Sequence, residues 1–251
     1  MHEPEILEKN WEKLKHKRVI FRSIGQCMPH QENLLAKLKG EGLQIVRYSP
    51  KEAKIPNFAG ESAMIRFYKD PEEYQGWTGE KNIAINITQS IKQRAEFCYY
   101  SEIDFALSVV PHKFYGTSNE DLGDEWGGLQ TDAQLRDRLR EARVYVYGGT
   151  YPAQYTLSFI EAMMTGIPIV TIGREISLAK WPRFDYLETY EIIKNGSNGF
   201  AGNTREELAS AVRMLVANHS LAKEISANGR QTAIELFGKE KIKKEWQEFL
   251  G

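Results

Sequence analysis

Residues 142–170 read ARVYVYGGTYPAQYTLSFIEAMMTGIPIV, and the order of residue types in this stretch decides the fold. Val144 to Tyr147 are β-branched or aromatic, which predicts a buried strand, and Gly148-Gly149 end it in a turn that larger side chains resist. Leu157, Ile160, Glu161, Met164 and Thr165 fall on helical spacing, predicting a helix from about Gln154. Gly166 and Ile167-Pro168 end that helix before a second apolar run, Ile167 to Ile172. Strand, helix and strand in this order imply a right-handed parallel crossover, with the helix N-terminus opening beside the carboxyl end of the first strand. Unpaired amides at such a place attract an anion. Glu161 lies two turns beyond Gln154, roughly 10 Å along the axis and nearly on the same face. That separation suits one ligand, with a diphosphate on the amides of Gln154, Tyr155, Thr156 and Leu157 and a ribose diol on the carboxylate. Spacing alone equally allows Glu161 to face solvent or pair with a lysine, as helix carboxylates usually do.

The same stretch resembles the donor-binding half of the retaining glycosyltransferases of GT-B fold, the relatives of glycogen and sucrose synthases. Gln154-Tyr155-Thr156-Leu157 stands at the family's Gly-Phe-Gly-Leu turn, and Glu161-Ala162-Met163 and Gly166-Ile167-Pro168-Ile169-Val170 match its later motifs. The resemblance gives Glu161 the ribose-binding role. One departure is Ala153, which stands where the family carries the first glutamate of its pair, the one that meets the donor sugar. The likeness runs over roughly residues 80–251. Asn82 to Thr88 reads as the first donor-domain strand, with Thr88-Gln89 in place of Gly-Arg and Arg94 where a lysine usually grips the diphosphate. His112 to Gly116 reads as the next strand and its turn. Gly127-Gly128-Leu129, followed by Thr131 to Leu135, matches the glycine turn and capped helix that line the base. Glu191 to Phe200 matches the run before the last strand, and Thr204 to Ala217 reads as a helix opened by a capping box, Thr204 to Glu207.

The resemblance therefore implies an α/β, GT-B-like fold. A Rossmann-like donor domain is expected over 79–238 and a truncated α/β acceptor domain over 1–78, with a C-terminal helix over 239–251 crossing back to the latter. In the first part, an amphipathic helix is expected from Glu5 to Lys15, a strand from Val19 to Phe21, a helix from Gln31 to Lys39 and a strand from Leu43 to Tyr48. Met64 to Phe67 marks the interdomain crossover, and Asp70 to Gly79 the linker. The first strand's end offers Arg22, Ser23 and Gln26, with His30 close by, and of these Arg22, Gln26 or His30 is expected to orient an acceptor hydroxyl. Arg94, with Lys92 beside it, is the expected phosphate cation. Gly116, Gly128 and Leu129 are expected to line the nucleotide, and Tyr151 and Tyr155 to stand beside the diphosphate.

Composition narrows the field. The chain has 251 residues, 41% of them hydrophobic, and a formal net charge of −1, enough for one large or two modest domains. No apolar stretch has signal-peptide or membrane-spanning length, so a cytoplasmic protein is expected. Cys27 and Cys98 are too few for a disulfide framework or zinc site, and the histidines show no ligand spacing, so no metal is expected. Lysines and arginines crowd both ends, from Lys9 to Arg22 and from Lys239 to Lys244. Together they would attract a polyanion, or else form solvated faces neutralised by Glu3, Glu5, Glu8 and Glu12.

What the resemblance implies is transfer of a sugar, with retention and without metal, from a nucleotide diphosphate to an acceptor hydroxyl. The donor is expected to be a UDP-sugar, with a GDP-sugar as the alternative, and no other cofactor. Acceptors left open are a modified DNA base such as hydroxymethylpyrimidine, a glycan, a lipid-linked sugar and a small metabolite. The competing expectation is a non-catalytic subunit that binds the sugar nucleotide and completes a partner's site. A truncated first domain would also expose surface for a homodimer or such a partner to cover.

Overall fold

The computed structural model describes residues 3–25 and 28–251. Two parallel sheets face each other across a cleft. The smaller holds β1 (Ile20–Arg22), β2 (Gln44–Arg47) and β3 (Ala63–Met64) in that order, with Ile20 opposite Gln44 and Val46 opposite Ala63. The larger holds β4 (Lys81–Ile87), β5 (His112–Tyr115), β6 (Ala142–Tyr147), β7 (Ile169–Ile172) and β8 (Phe200–Gly202), ordered β5-β4-β6-β7-β8. Parallel neighbours require crossovers, and helices supply them on both faces. Every residue of β6 and β7 is buried, as two covered faces demand. After β4 the chain steps outward to β5 and then returns to β6 on the other side. That reversal opens a crevice at the carboxyl ends of β4 and β6.

Several elements differ from the sequence expectation in ways that matter. The first helix is broken into Pro4–Lys9 and Trp11–Leu14 at Asn10, whose side chain turns back to bond the Ile6 carbonyl at 2.9 Å. The break buries Trp11, whose indole N–H donates to Glu41 at 2.8 Å. Ala63-Met64 forms a third strand at the start of the expected crossover. Helix Leu157–Thr165 starts three residues later than spacing suggested and ends at Gly166, whose φ of 92° is the left-handed conformation glycine takes without strain. Thr204 does cap helix Arg205–Ala217 by accepting from the Glu207 amide.

The small sheet is held by charge as well as by apolar packing. Arg47 makes a two-pronged contact with Glu32 at 2.8 and 2.7 Å and reaches Glu52 at 3.4 Å, all three residues being buried. Helix Lys239–Leu250 lies against this sheet, with Ile242 in a cluster with Val46 and Ile65. Arg18 donates to the carbonyls of Leu250 at 2.6 Å and Phe249 at 2.7 Å, satisfying groups a helix end leaves orphaned. Within the terminal basic clusters, Lys15, Lys239, Lys241 and Lys244 each pair with a carboxylate. Among the described residues no helix is long and apolar enough to cross a membrane.

Buried polar contacts join the two sheets. The Ser49 hydroxyl donates to Glu188 at 2.5 Å, and Arg66 grips the same carboxylate from the other side at 2.5 and 3.1 Å. Lys51 reaches Asp185 at 3.0 Å, Glu191 at 2.7 Å and the Tyr190 hydroxyl at 2.8 Å.

Candidate functional site

The crevice at the reversal point widens into a cleft of about 700 Å³ between the two sheets. One side is built from the ends of β4 and β6 and the turns after them: Ile87, Thr88 and Gln89, then Tyr147 and the loop from Gly149 to Thr156. The small sheet contributes Ile24 and Gly25, and the crossover contributes Phe67. Leu157 and Ser158, the first residues of helix Leu157–Thr165, complete the lining with Arg94. Arg94 is the only charged side chain among these lining residues. No carboxylate is among them.

The amide cradle expected over residues 154–157 is partly filled by the protein itself. The Gln154 amide donates to the Tyr48 hydroxyl at 2.9 Å, and that hydroxyl donates in turn to the Gln154 side chain at 2.5 Å. The Thr156 amide donates to the Tyr147 hydroxyl at 3.0 Å. Burial pushes both phenols upward in pKa, so each stays protonated near neutrality. Among the described residues, the amides of Tyr155, Leu157 and Ser158 donate to no backbone or side-chain acceptor. Two of the four expected amides, those of Tyr155 and Leu157, are thus left free, and Ser158 adds a third because the helix begins at Leu157 rather than Gln154. Tyr155 is buried at the base of the cleft, where its hydroxyl donates to the Tyr48 carbonyl at 2.7 Å.

Ala153 sits against the small sheet's loop. A Cβ built on Gly25 would lie 2.9 Å from Ala153 Cβ, so the first side chain here must be short for the loops to meet. Tyr151 stacks on Trp181 at 3.8 Å and 8°, with Phe97 beyond it half exposed at the rim.

Glu161 does not face this cleft. It lines a smaller cavity of about 140 Å³ with Lys69, Tyr74, Asp132, Leu135 and Arg136, and Ile87 is common to both spaces. Its carboxylate pairs with Lys69 and accepts from the Tyr74 hydroxyl at 3.2 Å. The lysine partner allowed by spacing alone is therefore present, inside a cavity rather than on an open surface. Lys69 and Tyr74 were invisible to motif reading, since nothing in the linker sequence marks which helix it will lie against.

Other expected site residues are placed elsewhere. Arg22 is turned away behind Phe67: it donates to the Arg47 carbonyl at 2.8 Å and lies over the Phe67 and Trp246 rings, and burial lowers its pKa. His30 is exposed beside Glu5 at 3.7 Å, away from the cleft lining. Gln26 lies outside the described residues. Lys92 donates to the Asp121 carbonyl at 2.7 Å. Gly116 has a packing role, since a Cβ there would meet the Thr88 carbonyl and push the β4 and β5 turns apart. Gly128 has open space around its Cα, Leu129 is exposed, and neither lines the two cavities.

The sequence matches no protein-family model and no curated protein. Solved structures do resemble it. Sucrose-phosphate synthase from Thermosynechococcus elongatus superposes with a TM-score of 0.73 at 13% identity, over 98% of this chain and 70% of that one. HepE from Anabaena, solved with UDP, gives 0.73 at 13% identity over 98% of this chain and 75% of its own. The pneumococcal O-GlcNAc transferase GtfA, solved with UDP and GlcNAc, gives 0.64 at 12% identity over 96% of this chain and 54% of its own. Two parallel α/β sheets meeting across a cleft, together with these neighbours, establish that the chain has the GT-B glycosyltransferase fold.

Proposed function

We propose that this protein is a retaining glycosyltransferase that moves a sugar from a nucleotide-diphosphate sugar, UDP-linked in the first instance, to an acceptor hydroxyl. The observation that supports the proposal is a pair of adjoining spaces that share Ile87 in their linings. Arg94 and the amides of Leu157 and Ser158 offer positive charge to a diphosphate in the cleft, and past Ile87 the smaller cavity offers Glu161 to a ribose. The UDP held by HepE and GtfA is consistent with such a ligand.

A same-face mechanism suits a cleft whose lining has no carboxylate. The bond between the anomeric carbon and the diphosphate oxygen breaks as the acceptor oxygen bonds to that carbon on the same face. The acceptor's proton passes to the departing diphosphate oxygen, so no side-chain base is required. Arg94 and the free amides stabilise the charge that develops on the leaving group. The acceptor would enter from the small-sheet side, between Gly25, Phe67 and the Tyr151 stack.

The test combines thermal shift with turnover. UDP, GDP and their glucose and N-acetylglucosamine conjugates are titrated against the chain and against Glu161→Ala. A ligand at a hundred times its Kd stabilises by about 2.7 kcal/mol, and Glu161→Ala should raise the donor KM about tenfold or more. Hydrolysis and transfer are then followed with hydroxymethylated DNA, glycans and small alcohols as acceptors. Donor binding without hydrolysis or transfer to any of them would instead favour a sugar-nucleotide-binding subunit that relies on a partner.

A further inference from the structure

We propose that Lys69 and Tyr74, from the segment joining the two sheets, complete the ribose subsite around Glu161, Lys69 as a second binding group and Tyr74 as the residue that positions it, and make the subsite selective for a ribose diol. The assignment rests on the donor site proposed above and adds to it two residues that no motif marks.

The geometry is specific. Both the Lys69 ammonium and the Tyr74 hydroxyl contact the same oxygen of Glu161, Oε1, which leaves Oε2 for a ligand in the cavity that all three line. A ribose hydroxyl is donor and acceptor at once. An ionised carboxylate only accepts, and an ammonium has three N–H bonds and only donates. Glu161 alone would satisfy half of each hydroxyl, and of the two cations that line the cavity, Lys69 and Arg136, Lys69 is the one paired with it. With Lys69 beside it, spare N–H capacity faces the same cavity as the free carboxylate oxygen, and the subsite meets both halves. Tyr74 lies beneath, 3.5 Å from the ammonium through its hydroxyl and itself buried, so the lysine is held from one side.

These side chains are pre-placed by their backbone. The Lys69 amide donates to the Phe237 carbonyl at 3.1 Å, and Asp70 pairs with Lys239 at 2.7 Å. Arg230 donates to the Pro71 carbonyl at 2.9 Å and also grips the carbonyls of Tyr74 and Met164, the latter in Glu161's own helix. Arg140 fastens Gln75 at 2.8 Å. A segment tied down at successive residues orders little more when a ligand arrives, so its contacts are expressed as affinity. Burial pulls the Lys69 pKa down, but Glu161 and Tyr74 more than offset this, and the ammonium persists at neutral pH.

Calorimetric titration of the full chain with UDP, or with GDP where that binds more tightly, against the corresponding 2′,3′-dideoxynucleotide tests the assignment. The unsubstituted protein should prefer the ribonucleotide by about tenfold or more. Lys69→Met should cut that preference below about threefold by weakening the ribonucleotide alone, Tyr74→Phe should lower it partway, and Lys69→Arg should restore much of it. Equal weakening of both nucleotides by Lys69→Met, or an unchanged preference in both variants, would overturn the assignment. So would equal binding of the two nucleotides to the unsubstituted chain, which would leave the donor-site proposal standing. Failure of every ribonucleotide to bind would overturn the donor site itself and this assignment with it.

Discussion

Arg94 is the residue on which the proposed diphosphate end of the cleft depends. Its guanidinium reaches the Gln89 carbonyl only at 3.4 Å and carries the one charge among the lining side chains. A hydrogen bond to a charged group contributes about 1.5–3 kcal/mol, so Arg94→Ala should weaken UDP by about tenfold to a hundredfold. Uridine, which lacks the phosphates, should bind the variant and the parent alike, and parallel titrations would show the difference. Equal loss for both ligands would place Arg94 in the scaffold rather than at the phosphates. Ala153 poses the complementary case: its methyl group offers no hydrogen bond to a sugar, and its contact with Gly25 leaves little room for a longer side chain.

Among the elements, the join between helix Pro29–Gly40 and β2 is the most exposed to mutation. Glu32 on the helix and Arg47 on the strand meet with side chains fully out of solvent, and Glu52 closes the cluster while accepting from Ser23 and the Tyr48 amide. Burial pushes the Glu52 carboxyl upward and Arg47 pulls it back. Removing Glu32 takes away the two-pronged partner of a buried guanidinium and leaves it the longer contact with Glu52 and the Gly60 carbonyl, so Glu32→Ala should cost about 3–5 kcal/mol in urea unfolding. A cost below about 1 kcal/mol would mean that water or Glu52 takes over the guanidinium. At this scale the stretch 142–170 was legible because strand, turn, helix and strand follow one another and each is marked by local residue types. The two-residue strand Ala63–Met64 was not, since so short a pairing leaves no period to read and exists only because β2 offers it an edge.

Across the whole molecule, the cleft keeps its shape because the two sheets are bonded directly. Lys51 from the small-sheet side is almost fully buried between Asp185 and Glu191. Burial lowers its pKa, but bonds to Glu191, Tyr190 and Asp185 raise it further, from 10.5 to about 12. A cation whose folded pKa exceeds its unfolded one stabilises fully below the unfolded value and loses that contribution as pH rises through the folded one. The melting temperature should therefore fall between pH 10.5 and about 12. In Lys51→Met it should be lower at neutral pH and fall less steeply over that window. Identical alkaline limbs in differential scanning calorimetry would show that Lys51 does not hold the sheets together. Helix Lys239–Leu250 adds to the join from the far end of the chain, through Ile242 and the carbonyls that Arg18 caps.

The sequence by itself determined the parallel crossover over residues 142–170, with a helix N-terminus opening beside the end of its first strand, and the presence of Glu161 on that helix. These follow from neighbouring residues, because β-branched runs, glycine turns and helical spacing act over a few positions. The reversal of strand order came only with the assembled sheet. Which groups are left to meet a ligand was decided by the tertiary structure alone. The Gln154 amide is taken by a tyrosine 106 residues away, and Glu161 is held by Tyr74 across 87. Arg22 and His30 are carried off the cleft by contacts with Arg47, Trp246 and Glu5. A donor or acceptor bonds to whatever the folded chain brings within about 3 Å, and that proximity is set by packing between distant segments rather than by spacing along one.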